Sequence, residues 1–140
     1  MIQSNGLPPI APPWSTITAY DLNEGELLWQ VPNGEVAALA EQGITGTGTV
    51  AVRSGPVATG GGLIFNATAM DRKFRARDAD TGEILWETDI PAASEGVPAV
   101  YEADGRQFVV IPVGGMGQMA FGSGLPQPGE PRYMAFALPD

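Results

Sequence analysis

Short apolar runs bounded by glycine-containing turns recur along the chain. Residues 56–59 and 63–67, for example, flank a run of three glycines. Runs of this length, separated by tight turns, are typical of antiparallel strands joined as hairpins. We therefore predict nine strands, over residues 17–22, 27–31, 56–59, 63–67, 74–79, 84–88, 97–102, 107–113 and 133–138.

One hairpin sequence occurs twice, 57 residues apart. Each copy reads Ala-x-Asp-x-x-x-Gly-Glu-x-Leu-Trp, beginning at Ala19 and at Ala76. The aspartate is expected to accept backbone N–H bonds in the turn, where the glycine can adopt a positive φ. The tryptophan offers a large flat surface that suits packing between neighbouring sheets. We predict structural roles, in preference to cofactor stacking or calcium binding, for Asp21, Gly25, Trp29, Asp78, Gly82 and Trp86.

The predicted strands group into four-stranded units, which is the pattern of a β-propeller blade. Residues 1–36 are expected to be the end of one blade, residues 53–93 one full blade, and residues 94–140 an incomplete last blade. The predicted fold is therefore all-β, a single partial β-propeller of antiparallel blades. Because nine strands do not close a ring, we expect either a missing propeller portion or a homo-oligomer that covers the open strand edges.

The composition excludes several kinds of structure, catalytic site and partner. Nineteen glycines and thirteen prolines disfavour helices, and only residues 35–42 are predicted to form one or two helical turns. The chain has no cysteine and no histidine, which excludes disulfides, thiol nucleophiles, Cys/His zinc sites and a histidine base. A net charge of −9 argues against nucleic acid as a partner. We expect no signal peptide and no membrane span in this sequence.

The repeated motif resembles the tryptophan-docking motif of quinoprotein dehydrogenases, eight-bladed propellers that hold pyrroloquinoline quinone (PQQ) and a calcium ion. Further segments are most similar to the C-terminal end of the membrane-bound glucose dehydrogenase branch. The resemblance covers nearly the whole chain. It rests on residues 11–14 (Ala-Pro-Pro-Trp), 55–65, 70–76, 104–110, 114–117 (Gly-Gly-Met-Gly) and 135–139.

The resemblance implies PQQ-dependent oxidation of an alcohol or sugar hydroxyl in the periplasm. It places Asp71 and Met116 in the wall of the cofactor pocket, Met116 standing where sugar-oxidising relatives carry a histidine. The family's catalytic aspartate and most of its calcium ligands lie on earlier blades, so no catalytic or metal-binding residue is assigned here. We expect the isolated chain to be inactive.

Two features leave alternatives open. Asp71 could accept a proton or bind a cation, or it could simply pair with Arg72 or Arg75. Lys73, Arg75 and Arg77 alternate along a predicted strand, which places all three on one side of it. We predict that this side is solvated; the alternatives are acidic groups packed against it, or an anionic cofactor carboxylate.

A second function is also open, namely a non-enzymatic binding or scaffold module that is built from the same blades and self-associates. A ligand that binds only the folded state must raise the thermal unfolding midpoint. Addition of PQQ and calcium therefore discriminates between the two functions for this chain.

Overall fold

The structure is a computed structural model that describes residues 7–50, 52–114 and 129–138. Within these ranges the chain forms nine strands and one helix of a single turn. All nine predicted strands are present, which confirms the all-β class, and the predicted helix is limited to α1. The elements are β1 (Thr16–Asp21), β2 (Glu26–Pro32), α1 (Ala37–Ala40), β3 (Val57–Ala58), β4 (Leu63–Thr68), β5 (Lys73–Asp78), β6 (Ile84–Asp89), β7 (Ala99–Ala103), β8 (Arg106–Val113) and β9 (Arg132–Ala137).

The strands form three antiparallel sheets in chain order. The first sheet contains β1 and β2, the second contains β3 to β6, and the third contains β7 to β9. Each strand pairs with the strand before or after it in the sequence, because the connections within a sheet are short enough to bring consecutive strands side by side.

The two copies of the repeated hairpin share an irregularity as well as a sequence. In both copies the register shifts directly after the alanine of the motif, which faces the tryptophan across the strand pair. Leu28 in β2 and Leu85 in β6 are therefore extra residues with no partner opposite them. Such a β-bulge bends the strand and increases its twist. The repeat thus specifies the same curved hairpin twice.

An apolar core fills the space between the second and third sheets. The Phe74 ring of β5 lies 4.9 Å, centroid to centroid, from the Phe136 ring of β9. Removal of this apolar surface from water is the main force that joins the two sheets. The buried members are Ala67, Phe74, Ile90, Val109, Ile111 and Val113, with Phe65, Val100, Met134 and Phe136 partly buried against them.

The opposite face of the second sheet is polar and meets the first sheet. Side chains alternate along β5, so Arg75 and Arg77 point away from the apolar core. Arg77 Nη2 lies 3.3 Å from the Pro32 carbonyl oxygen at the end of β2. Asn66 Nδ2 of β4 donates to Asn33 Oδ1, just beyond β2, at 3.0 Å. The second sheet therefore has one apolar and one polar interface.

Candidate functional site

Asp71 lies in the β4–β5 connection, with its side chain only 6% exposed. Its Oδ2 accepts hydrogen bonds from Arg75 Nη2 at 2.6 Å and from the Glu35 backbone N–H at 3.1 Å. Its Oδ1 accepts a hydrogen bond from the Thr68 hydroxyl. Three donors already occupy the carboxylate, so the geometry fits the Arg75-paired alternative better than a base that is free to accept a proton.

Arg75 extends this contact into a network of charged side chains on β5 and β6. Its Nε donates to Glu87 Oε2 at 3.2 Å, and its Nη1 donates to Thr68 Oγ1 at 2.8 Å. Lys73 also donates to Glu87, and its Nζ lies 3.9 Å from Asp89 Oδ1. The hydrogen bond between Lys73 and Glu87 raises the pKa of the lysine and lowers the pKa of the glutamate. Both groups are therefore held in their charged forms.

Arg77 is also buried, but it contacts backbone carbonyls instead of carboxylates. Its Nη1 donates to the Gly82 carbonyl at 2.8 Å, and its Nη2 reaches the Pro32 carbonyl. Burial lowers the pKa of the Arg77 guanidinium, and the positive charge of Arg75 acts in the same direction. Arg75 and Arg77 are 4% and 5% exposed. The predicted solvated face is therefore wrong for these two arginines, because the first sheet and nearby acidic groups cover them.

The connection that follows β2, residues 33–49, is tied to this network through Glu35. The Glu35 N–H binds Asp71, and its Oε1 accepts a hydrogen bond from the Gly46 N–H at 2.9 Å. The Val36 N–H donates to Thr47 Oγ1 at 3.0 Å. Glu35 is not among the residues that the sequence singles out, because its contacts are with residues 11 and 36 positions away.

Trp29 and Trp86 occupy equivalent positions in their hairpins but have different surroundings. Trp29 Nε1 donates to the Ala79 carbonyl at 3.0 Å, and its ring covers Gly82. A Cβ atom at Gly82 would lie 2.7 Å from Trp29 Cε3, so only glycine fits beneath the ring. Trp86 is 44% exposed and meets the Phe136 ring edge-on at 5.9 Å. The first tryptophan thus joins the first sheet to the turn of the second.

Asp21 and Asp78 each accept hydrogen bonds within their own turns. In both turns Oδ1 accepts the backbone N–H groups two and three residues ahead, at 2.8 and 3.2 Å in the first and at 2.9 Å for both in the second. This is the local arrangement in which aspartate favours a turn. Gly25 and Gly82, four residues after these aspartates, have φ values of +73° and +75°.

Of the two predicted pocket residues, the structure places only Asp71, since Met116 lies outside the described residues. Residues 7–50, 52–114 and 129–138 contain no group of three or more acidic, histidine or cysteine side chains that could hold a metal ion. Nor does this part of the chain form any helix with the length and apolar character needed to cross a membrane.

Comparison with known sequences identifies the family. The family model described as "PQQ: Glucose/ethanol/alcohol dehydrogenase, beta-propeller domain" matches residues 1–109. The chain belongs to the PQQ-dependent dehydrogenases. The predicted family is thereby confirmed.

Three curated members of the family show how this chain relates to whole enzymes. The glycerol dehydrogenase large subunit of Gluconobacter thailandicus is 38% identical over 92% of this chain. The quinate/shikimate dehydrogenase (quinone) of Acinetobacter baylyi is 36% identical over 81% of it, and the quinoprotein glucose dehydrogenase of Escherichia coli is 33% identical over 96%. The chain spans only 17%, 15% and 17% of these relatives, respectively.

Solved structures of PQQ-dependent dehydrogenases share the fold. The quinohemoprotein alcohol dehydrogenase of Comamonas testosteroni superposes with a TM-score of 0.59 at 23% identity, over 87% of this chain and 16% of that one. A europium-containing methanol dehydrogenase gives a TM-score of 0.51 at 31% identity, over 68% of this chain and 14% of that one. The predicted class, part of a quinoprotein-type propeller, is confirmed.

Proposed function

We propose that this chain is the C-terminal segment of a PQQ-dependent dehydrogenase that oxidises a hydroxyl group of an alcohol or a sugar. The observation that carries the proposal is the family match over residues 1–109. The names of the relatives support the substrate class, because glycerol, quinate and glucose all carry hydroxyl groups on carbon. Oxidation of such a group to a carbonyl releases two electrons and two protons, and PQQ, when bound, supplies the acceptor.

The described residues do not by themselves fit a complete cofactor site. Both oxygens of Asp71 already accept hydrogen bonds, and the carboxylate is paired with Arg75. Its Oδ2 also accepts the Glu35 N–H, so the carboxylate is used within the fold. We therefore assign Asp71 to holding the connection of residues 33–49 in place, and we assign no proton transfer or calcium ligation to this part of the chain.

The three sheets support a division into blades. On this proposal the first sheet is the end of one blade, the second is a complete four-stranded blade, and the third belongs to an incomplete last blade, with bounds near residues 36, 53 and 94. The remaining blades, with the catalytic groups, would come from the rest of the enzyme, and the isolated chain would have no activity. We place the enzyme in the periplasm by analogy with the family.

A chimera tests this proposal. The segment of the Escherichia coli glucose dehydrogenase that aligns with this chain is replaced by it, and bound PQQ and dye-linked oxidation of sugars and alcohols are measured. We expect the folded chimera to retain PQQ and to oxidise a hydroxyl substrate, while the isolated chain does neither with PQQ and calcium added. A folded chimera without PQQ, or turnover by the isolated chain, would contradict the proposal.

The exposed ring of Trp86 favours a second candidate, a scaffold module that self-associates. Its counterpart Trp29 is covered by a glycine turn, whereas Trp86 is 44% exposed. A half-exposed tryptophan next to apolar side chains is typical of a surface that another protein surface covers. Light scattering at micromolar concentration should then show an oligomer of the isolated chain. A monomer mass, or an oligomer that persists unchanged in Trp86→Gln, would count against this candidate.

A further inference from the structure

Among the three basic residues on the polar face of β5, Arg77 differs from the other two. Arg75 is paired with Asp71 and Glu87, and Lys73 is paired with Glu87. The ion pairs of the described residues include none to Arg77, although it is 5% exposed. A buried charge is costly, and at contact distance this one is compensated by two carbonyl dipoles, while the charges of Glu87 and Asp71 act on it from beyond ion-pair distance.

The hydrogen-bonding capacity of Arg77 is only partly used. Its Nη1 bond to the Gly82 carbonyl is short, at 2.8 Å, but Nη2 lies 3.3 Å from the Pro32 carbonyl, beyond the usual range. Its Nε is buried and has no partner within the described part of the chain. The edge of the guanidinium that carries Nε and Nη2 therefore keeps unused donor capacity for an acceptor with two oxygens, although Nε is not exposed to solvent.

This side chain lines a groove between the first and second sheets. The groove has a volume of about 620 Å³, which is large enough for a small organic anion. Pro32 and Gly34 form one wall, and Lys73, Arg75 and Arg77 lie on the other. Three glutamates also line it: Glu87 is bound to Lys73 and Arg75, Glu35 accepts the Gly46 N–H, and Glu83 is exposed in the turn before β6.

We propose that this groove binds a small oxyanion, of the carboxylate or phosphate class, through Arg77. The planar guanidinium matches two oxygens of such an anion, whereas a spherical halide can use only one direction at a time. The anion would bind Nε and replace the long Nη2 contact with Pro32, and it would place a negative charge at contact distance from the Arg77 guanidinium. The equivalent position of the first repeat is Tyr20, so this site belongs to the second hairpin alone.

Thermal unfolding of the whole chain at fixed pH and ionic strength tests the site. Sodium chloride is compared with sodium acetate and with sodium phosphate. At a tenfold excess over Kd, an oxyanion that binds only the folded chain should raise the midpoint by about 4–6 °C over chloride. A larger rise with phosphate than with acetate would identify phosphate as the preferred ligand, and the reverse would identify a carboxylate.

Matched variants connect the effect to Arg77. Arg77→Gln should lose the oxyanion-specific rise, whereas Arg132→Gln, the same change at an exposed arginine on β9, should keep it. If Arg77→Gln does not fold, Arg77→Lys serves instead, because it keeps the positive charge but lacks the two parallel N–H donors of the guanidinium. Calorimetric titration of this variant with the preferred oxyanion should show a Kd at least tenfold weaker than that of the unsubstituted chain. Equal midpoints in all three salts, or a rise that survives in Arg77→Gln, would overturn the proposal. Destabilisation by Glu83→Gln equal to that by Arg77→Gln would also overturn it, because Glu83 would then be the counter-ion.

Discussion

Gly25 and Gly82 offer a test of tryptophan packing in which the chain provides its own control. Both glycines occupy the same position of the repeated turn, with φ values of +73° and +75°. A Cβ atom added at Gly25 would meet nothing within 4 Å, whereas at Gly82 it would lie 2.7 Å from the Trp29 ring. Gly25→Ala therefore introduces backbone strain alone, and Gly82→Ala introduces the same strain together with a steric clash.

The size of the difference follows from the contacts that the clash disturbs. An alanine at φ near +75° should cost about 1–2 kcal/mol at either site. At Gly82 the Trp29 ring must also move, which adds about 1–3 kcal/mol for overpacking and weakens its bond to the Ala79 carbonyl, about 1 kcal/mol. We expect Gly82→Ala to be less stable than Gly25→Ala by about 2 kcal/mol, or about 6–8 °C in the unfolding midpoint.

Urea unfolding followed by far-ultraviolet circular dichroism measures both variants without relying on tryptophan fluorescence. A Trp29→Leu background completes a double-mutant cycle, since removal of the indole should reduce the penalty of Gly82→Ala to that of Gly25→Ala. Equal penalties for the two alanines in the unsubstituted chain would refute the packing of Trp29 on Gly82. So would an additive cycle, because it would show that the two residues do not interact.

Three further predictions concern the charged network and the core. Arg75→Met should lower the free energy of unfolding by about 3–5 kcal/mol, because it leaves the buried Asp71 carboxylate unpaired. Adding Asp71→Asn should recover part of that loss in urea unfolding. Additive effects of the two substitutions would show that Arg75 and Asp71 are not coupled. The pKa of Glu87 is lowered in the folded state, so its contribution to the free energy of unfolding is present above the unfolded pKa and is lost as the pH falls through the folded pKa. Glu87→Gln should therefore flatten the acid side of the stability–pH curve. An unchanged curve would contradict this prediction. Ile111 is 0% exposed, so Ile111→Ala should lower the free energy of unfolding, measured by urea unfolding, by about 2–5 kcal/mol. A loss below about 1 kcal/mol would mean that the core closes over the cavity.

The strands and the family could be predicted from the sequence because their determinants are local. Apolar runs define the strands, glycine turns define most of the hairpins, and the same hairpin sequence occurs twice, 57 residues apart. Even the bulge is repeated, because Leu28 and Leu85 stand at the same position of the motif. The helix was predicted over residues 35–42 and covers only Ala37–Ala40, since Gln42 and Gly43 already belong to the turn that leads away from it.

The burial of the basic residues could not be predicted in the same way. The alternation of Lys73, Arg75 and Arg77 places them on one face, but no local pattern states what covers that face. The covering group includes Glu35, which lies 36 residues before Asp71, and the end of β2 at Pro32. Partners so distant in sequence are set by how the sheets stack, and a solvated face is the ordinary expectation for three basic side chains.

The second sheet has a polar interface with the first sheet and an apolar interface with the third sheet. This difference predicts that the molecule unfolds in more than one step. Acid protonates Glu87 and leaves the charges of Lys73 and Arg75 less compensated on the face that meets the first sheet. It does not affect hydrocarbon contacts such as that between Phe74 and Phe136. A falling pH should therefore loosen the β1–β2 hairpin while the other seven strands stay together. Amide hydrogens of that hairpin would then exchange with solvent early, as the signature of a partly opened state that precedes global acid unfolding.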